Sequence, residues 1–91
     1  MKHYNLTVTG RVQRVGFRFS ALETACRLSI TGFVRNLGYD SVYIEAEGSE
    51  ENLEKFIAWC RKGPVSARVD NFDFREAPPE NFTGFEIRHR G

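Results

Sequence analysis

The chain has 91 residues, of which 41% are hydrophobic and 27% charged, and its formal net charge is +1 at pH 7. This length predicts one domain, residues 1–91, and the composition is that of an ordinary globular protein. The nearly balanced charge gives no reason to expect an extended nucleic-acid or membrane surface, and no apolar run approaches the roughly 20 residues of a spanning helix. Because the N-terminus shows no apolar signal segment, we expect a cytoplasmic protein.

The first predicted strand leads into a loop that is rich in arginine. Residues 3–9, "HYNLTVT", alternate apolar and polar side chains, which is typical of a half-buried strand. The loop over residues 10–16 follows. Ser20 and Glu23 then have the spacing of a capping box, so the local pattern predicts a helix that begins at Ser20. Its predicted apolar stripe consists of Leu22, Ala25, Cys26 and Leu28.

A hairpin and a second helix form the middle of the chain. The runs "ITGFVRNL" (30–37) and "SVYIEAE" (41–47) read as strands, and "LGYD" between them reads as a tight turn. The second helix is predicted to follow Ser49 as its N-cap and to stop at Gly63-Pro64. Its buried face is predicted to hold Leu53, Phe56, Ile57 and Cys60.

Two further strands complete the predicted fold. In "SARVDNFDFRE" (66–76) the apolar positions change parity, which indicates a bulge near Asn71. "GFEIRH" (84–89) reads as a short last strand. The element order predicts an α+β protein, a ferredoxin-like βαββαβ sandwich whose sheet is mostly antiparallel, with both helices on one face and an extra short C-terminal strand.

The cysteines and histidines suggest no metal or redox site. Cys26 and Cys60 lie on different predicted helices, match no CxxC pattern and are interpreted as small, partly buried residues. His3 and His89 lie near opposite termini, and the sequence places no acids beside them. We therefore predict no metal site.

The arginine loop has the chemistry of an anion site. Arg11, Arg14 and Arg18 occur there without an acidic residue between them. A turn before a helix leaves backbone N–H groups unpaired, and a guanidinium adds a fork that fits phosphate oxygens. On this reasoning alone a phosphate site and a solvated basic loop both remain open.

Two motifs resemble those of the acylphosphatase family. "GRVQRVGFR" (10–18) is similar to the family loop G-x-V-Q-G-V-x-F-R, and "GFVRNLGYDSVYIEAEG" (32–48) is similar to the second family signature. The resemblance continues through "SARVD" and "TGFEIR" and so covers nearly the whole chain. It also implies a first helix that begins nearer Phe17 than Ser20.

The resemblance implies an enzyme that hydrolyses acyl phosphates to a carboxylate and inorganic phosphate without a metal or cofactor. It assigns phosphate binding to Arg18 and water orientation to Asn36. The loop N–H groups that assist are those of Arg14, Val15, Gly16, Phe17 and Arg18. The expected partners are a small acyl phosphate and the phosphate product, with no nucleic acid or membrane, and the expected state is a monomer.

Three positions depart from the family pattern, and one of them, Ser29, replaces a glycine that is common after the first helix and concerns only the helix cap. Arg14 replaces a glycine; if that position requires φ > 0, the arginine costs about 1–2 kcal/mol of backbone strain. A catalytically weak phosphate- or anion-binding domain of the same fold is therefore an alternative. Asp40 replaces another glycine, where we expect Gly38 to supply the flexibility. An RNA-binding module is a third, disfavoured reading, because "SVYIEAEG" offers only Tyr43 among acids.

Overall fold

The computed structural model describes residues 1–89 and confirms the predicted element order. Its elements are β1 (Lys2–Arg11), α1 (Phe17–Arg27), β2 (Thr31–Leu37), β3 (Ser41–Gly48), α2 (Glu50–Lys62), β4 (Arg68–Ala77) and β5 (Phe85–Arg88). The five strands form one sheet in the order β4-β1-β3-β2-β5. β5 runs parallel to β2, and the other neighbouring pairs are antiparallel. The sheet is therefore mixed but mostly antiparallel, as predicted.

The core lies between the helices and one face of the two central strands. Leu6 pairs with Ile44 and Val8 with Val42 across β1 and β3, and all four side chains are fully buried. On α2, three residues of the predicted face, Leu53, Phe56 and Cys60, are buried, whereas the fourth, Ile57, is only half-buried against the core. Burying one such aliphatic side chain contributes about 1.5–3 kcal/mol, so this alternating pattern fixes which face of the sheet the helices cover.

The first helix begins at Phe17, so the start at Ser20 predicted from the capping box is wrong. Gly16 is its N-cap, with φ 79° and ψ 17°, and no side chain caps the helix. Phe17 is buried, and its ring lies 5.3 Å from that of Trp59 on α2. Tertiary packing of this ring outweighs the local preference of Ser20, and the start implied by the family resemblance is confirmed.

The buried face of α1 also differs from the predicted stripe. Cys26 is exposed, contrary to the predicted stripe and to its interpretation as partly buried. A polar residue, Thr24, is buried instead, because its hydroxyl donates a hydrogen bond to the Ser20 carbonyl at 2.8 Å. The buried residues of α1 are Phe17, Ala21, Thr24 and Ala25.

Three other local predictions are confirmed. Thr9 pairs with Asn71 and Gly10 with Val69, which leaves Asp70 as the extra residue of a bulge in β4. Ser49 caps α2 by accepting a hydrogen bond from the Asn52 N–H. In the hairpin turn Gly38 has φ 62°, whereas Asp40 is not among the described residues with positive φ.

A buried ion pair ties the β4–β5 connection to the sheet. The His3 Nδ1 lies 2.8 Å from a Glu47 carboxylate oxygen, and Nε2 faces Asn5 and Glu45 oxygens at 2.9 and 3.1 Å. Glu47 also accepts hydrogen bonds from the backbone N–H groups of residues 80–82.

Ligand atoms of His3, Glu45 and Glu80 lie within 4.8 Å of one another. Because both ring nitrogens are already hydrogen-bonded, we interpret this cluster as a structural contact.

Candidate active site

A pocket of about 250 Å³ lies where the loop after β1, the start of α1 and the ends of β2 and β5 meet. Arg18 and Asn36, which are far apart in sequence, both line it. Val15, the remaining loop residue predicted for the site, packs against the core instead of lining the pocket. The lining residues are Val12, Arg14, Gly16, Phe17, Arg18, Phe19, Asn36, Ile87 and His89.

A larger pocket of about 370 Å³ lies between α2 and the β1–β4 edge. It contains none of the site residues predicted from the sequence. Its basic residue, Arg61, stacks over the rings of Phe72 and Phe74, with its guanidinium carbon 4.7 and 5.8 Å from their centroids. Size alone therefore does not locate the candidate site.

The start of α1 offers unpaired backbone donors to the smaller pocket. The N–H of Ser20 makes the first helical hydrogen bond, to the Gly16 carbonyl at 3.0 Å. The N–H groups before it have no acceptor within the helix, as at any helix start. No side chain within residues 1–89 caps them, and the first turn holds no acidic residue. The positive end of the helix dipole is thus open to an anion.

Arg18 lies in this first turn and is half-buried. Its Nη1 donates a hydrogen bond to His89 Nδ1 at 3.4 Å. Among residues 1–89 it forms no ion pair with a carboxylate. Its positive charge is therefore uncompensated and available to an anion. His89 was not predicted here, since only the parallel pairing of β5 beside β2 brings it near.

Asn36 presents a buried acceptor without a donor. It lies one residue before the end of β2 on the same strand face as Val34, which is fully buried in the core. Its Oδ1 is buried and has no hydrogen-bond partner among the described residues. Leaving such an acceptor unpaired costs about 1–3 kcal/mol. A donor supplied from outside the chain, such as a water molecule, would remove this cost.

Gln13 fixes the loop relative to the strand that carries Asn36. Its side-chain amide donates to the carbonyl oxygens of Gly38 and Ser41 at 3.0 and 2.9 Å. The Gly10 N–H also donates to the Asp40 carbonyl at 2.9 Å. No role for Gln13 was predicted from the sequence, although its place inside the first motif was the available signal. Loop and hairpin turn are thus held together as one support.

The family comparison agrees with this geometry. The acylphosphatase family model matches residues 4–87. The chain belongs to the acylphosphatase family. An acylphosphatase of Methylococcus capsulatus is 46% identical over 88 residues, which cover 96% of each chain. The resemblance inferred from the two motifs is confirmed.

Solved acylphosphatases share the fold over nearly the whole chain. The crystal structure of the Bacillus subtilis acylphosphatase has a TM-score of 0.93 and 32% identity, covering 98% of this chain and 100% of its own. The structure of an acylphosphatase from Coxiella burnetii has a TM-score of 0.92 and 33% identity, covering 96% and 92%. Acylphosphatases are hydrolases, and family and fold together support acyl phosphate hydrolysis. No helix of the described residues is long and apolar enough to cross a membrane.

One residue of this acylphosphatase loop has an unusual backbone conformation. Arg14, which replaces the glycine of the family pattern, has φ 63°. Because φ is positive, the arginine costs about 1–2 kcal/mol of backbone strain at this position. The side chain is exposed, and the residue lines the pocket together with Arg18.

Proposed function

We propose that this acylphosphatase binds the phosphoryl group of its substrate with Arg18 and the backbone N–H groups of residues 14–18, and that Asn36 orients the attacking water. The observation that carries the proposal is the buried Oδ1 of Asn36, which has no hydrogen-bond partner among residues 1–89 and lies in the same pocket as Arg18 and the start of α1. The amide oxygen of Asn36 needs a hydrogen-bond donor, and the N–H groups beside it can donate hydrogen bonds to an anion. This combination suits a water molecule bound next to a phosphate.

The cationic part of the site performs the electrostatic work. Charge on the phosphoryl oxygens is neutralised by the Arg18 guanidinium and by N–H groups that are already oriented before substrate binds. Donors fixed in this way require no reorganisation during the reaction, and a guanidinium can bind two phosphoryl oxygens at once. A carboxylic mixed anhydride has a good leaving group, so a strong general acid is not needed.

Asn36 supplies orientation without negative charge. Its Oδ1 accepts a hydrogen bond from the water and leaves an oxygen lone pair free to face phosphorus. The water oxygen bonds to phosphorus while the bond from phosphorus to the bridging oxygen breaks, and that electron pair remains on the departing carboxylate. The water proton passes to phosphate or solvent. A carboxylate in place of the amide would repel the phosphoryl group.

The lining of the pocket also supports a reaction without a metal or a covalent intermediate. The described residues that line it include no Asp, Glu, Cys or Ser, and the one imidazole there, His89, accepts a hydrogen bond from Arg18 through Nδ1. Guanidinium and backbone N–H groups bind anions and not cations. We therefore propose that neither a metal nor another cofactor is required.

The domain organisation, the oligomeric state and the location of the protein are part of the same proposal. We propose one acylphosphatase-like domain over residues 1–91 that works as a cytoplasmic monomer on small acyl phosphates.

Tyr43 donates its hydroxyl hydrogen to Glu45 at 2.8 Å, and its ring lies 5.0 Å from the Arg35 guanidinium carbon. This ring is already occupied, which argues against base stacking and hence against the RNA-binding alternative.

The experiment is the metal-free hydrolysis of benzoyl phosphate in EDTA. The natural protein should consume the substrate, and Arg18→Ala should be slower by about 100-fold or more, the usual loss for one such donor. Arg27→Ala is the matched control, because it removes an exposed arginine from the far end of the same helix. Equal, near-background rates for all three proteins would refute the proposal.

The weak anion-binding alternative rests on the strained backbone of Arg14. It expects poor turnover by the natural protein and a clear increase in Arg14→Gly, because glycine adopts this φ without strain. Rapid turnover that this substitution leaves unchanged would exclude the alternative.

A further inference from the structure

Arg14 combines a costly backbone conformation with an exposed positive charge that lines the pocket and has no ion-pair partner among residues 1–89. Its φ of 63° disfavours every residue that has a Cβ, and strained residues of this kind concentrate at functional sites. A glycine at this position would form the same loop without strain. An arginine there suggests that its side chain has a use.

The side chain of Arg14 has no partner within the described chain. Its guanidinium takes part in none of the ion pairs or side-chain hydrogen bonds among residues 1–89. The part of the pocket that the structure describes has no acidic lining residue that could neutralise it. The site therefore holds a second guanidinium in addition to Arg18.

Arg14 and Arg18 differ in depth. Arg18 is half-buried in the first turn of α1, whereas Arg14 is exposed. A phosphoryl group bound at the helix start occupies the inner part of the pocket, so the acyl part must extend toward the exposed side. The apolar side chains of Phe19, which is 60% exposed, and Ile87 also line the pocket.

We infer that Arg14 favours acyl phosphates whose acyl part carries a second anionic group, such as a carboxylate, separated from the mixed anhydride by an apolar spacer. This inference rests on the proposed function. The spacer contacts Phe19 and Ile87, the phosphoryl group contacts Arg18, and the distal anion pairs with Arg14. Arg14 is a specificity residue and takes no part in the bond changes.

The test compares substrates that share one shape and differ in distal charge. The probes are 4-carboxybenzoyl and 3-carboxybenzoyl phosphate, each set against the methylbenzoyl phosphate with the same substitution pattern. The measured quantity is the ratio of kcat/KM for the carboxylated probe to kcat/KM for its methyl counterpart. Comparing this ratio between variants cancels the intrinsic reactivity of the probes.

Substitutions of Arg14 separate charge from strain. Arg14→Gln keeps a long side chain and a Cβ at positive φ but removes the charge, and it should lower the ratio about two- to fivefold, the effect of an exposed ion pair. Arg14→Lys should keep most of the ratio. Arg11→Gln, which removes an exposed arginine that does not line the pocket, should leave the ratio unchanged. High salt should reduce the ratio of the natural protein.

The outcomes distinguish this inference from the proposed function. If Arg14→Gln changes the rates for charged and methyl probes equally, Arg14 acts on the phosphoryl group or through strain alone, and the inference is overturned while hydrolysis stands. An equal fall of the ratio in Arg11→Gln would mean that only the general positive field matters, which also overturns it. If the natural protein hydrolyses none of the probes, the proposed function and this inference both fail.

Discussion

The proposed role of Asn36 depends on one atom, its amide oxygen Oδ1, which accepts a hydrogen bond from the attacking water. Oδ1 is buried without a hydrogen-bond partner in the part of the chain that the structure describes, and Val34, on the same strand face, is fully buried in the core. An acceptor that the fold leaves unsatisfied is a small, local instability. In our account the attacking water removes it when substrate binds.

Substitutions of Asn36 should separate turnover from phosphate binding. Asn36→Ala should lower kcat about 100-fold or more while inorganic phosphate inhibits as before, because Arg18 and the loop N–H groups are intact. Asn36→Asp should lose both properties, since its carboxylate repels phosphate. Steady-state kinetics with phosphate as a competitive inhibitor measures both. Full activity in Asn36→Ala would show that Asn36 does not position the water.

The two cysteines should differ in reactivity. Cys60 is fully buried, and this burial raises the pKa of its thiol well above the ordinary value, whereas Cys26 is exposed. A thiol reagent should therefore modify one cysteine in the native protein and both in denaturant, because the thiolate is the reactive form. Cys26→Ser should abolish the native reaction. Modification of both cysteines at the same rate in the native state would contradict this description of α2.

Among the elements, α1 carries several residues of the candidate site. The backbone conformation at its C-terminal end costs free energy that another residue would avoid. Ser29 follows the helix with φ 56°. The Ile30 N–H donates to the Ala25 carbonyl at 2.8 Å and the Ser29 N–H to the Cys26 carbonyl at 3.3 Å, the pattern of a Schellman cap. This cap places its left-handed residue at Ser29, where glycine is usual.

Ser29→Gly should therefore stabilise the protein. Removing a Cβ from the left-handed conformation should raise the free energy of unfolding by up to about 1 kcal/mol, measured by urea unfolding. Ser29→Ala is the matched control, because it keeps the Cβ and removes only the hydroxyl. If Ser29→Gly is no more stable than Ser29→Ala, the strain at the cap is negligible.

The elements also show what the sequence could predict. α2 was predicted correctly because its cap Ser49, its apolar face and Gly63 all agree. The start of α1 was wrong on local pattern alone, because a buried ring at Phe17 outweighed the capping box at Ser20. Local propensity is a weak guide where tertiary packing opposes it.

The candidate site could be predicted only in part, because some of its contacts join segments that are distant in the sequence. The motifs identified Arg18 and Asn36, and the structure brings them to one pocket. The unpaired Oδ1 of Asn36, the hydrogen bonds of Gln13 and the approach of His89 depend on how β2, β5 and the loop are packed together. Such relations between distant segments are not present in any local pattern.

At the scale of the whole molecule, the ion pair between His3 and Glu47 couples folding to pH. Burial lowers the pKa of His3, but hydrogen bonds to Glu47 and Asn5 and nearby negative charges outweigh this effect, so the pKa lies above its ordinary value of 6.5. Burial raises the pKa of Glu47, but hydrogen bonds from residues 80–82 and His3 outweigh it, so that pKa lies below 4.5. Both charged forms are stabilised by folding.

The sign of the pH dependence follows from linkage. The contribution of His3 is complete below its ordinary pKa and is lost as pH rises through its higher folded pKa, whereas that of Glu47 is lost as pH falls through its lower folded pKa. The free energy of unfolding should therefore decrease as pH rises above about 6.5. Urea unfolding across this range measures it. His3→Gln should lose this dependence and His89→Gln should keep it; a flat profile in the natural protein would contradict the assignment.

The position of an oxygen label in the products shows whether water attacks phosphorus or the carbonyl carbon. The natural protein is allowed to hydrolyse benzoyl phosphate in H₂¹⁸O with EDTA, and both products are analysed by mass spectrometry. If a water held by Asn36 attacks the phosphoryl group bound at Arg18, the label appears in inorganic phosphate and benzoate remains unlabelled. Label in benzoate would place the attack on the carbonyl carbon and contradict the account.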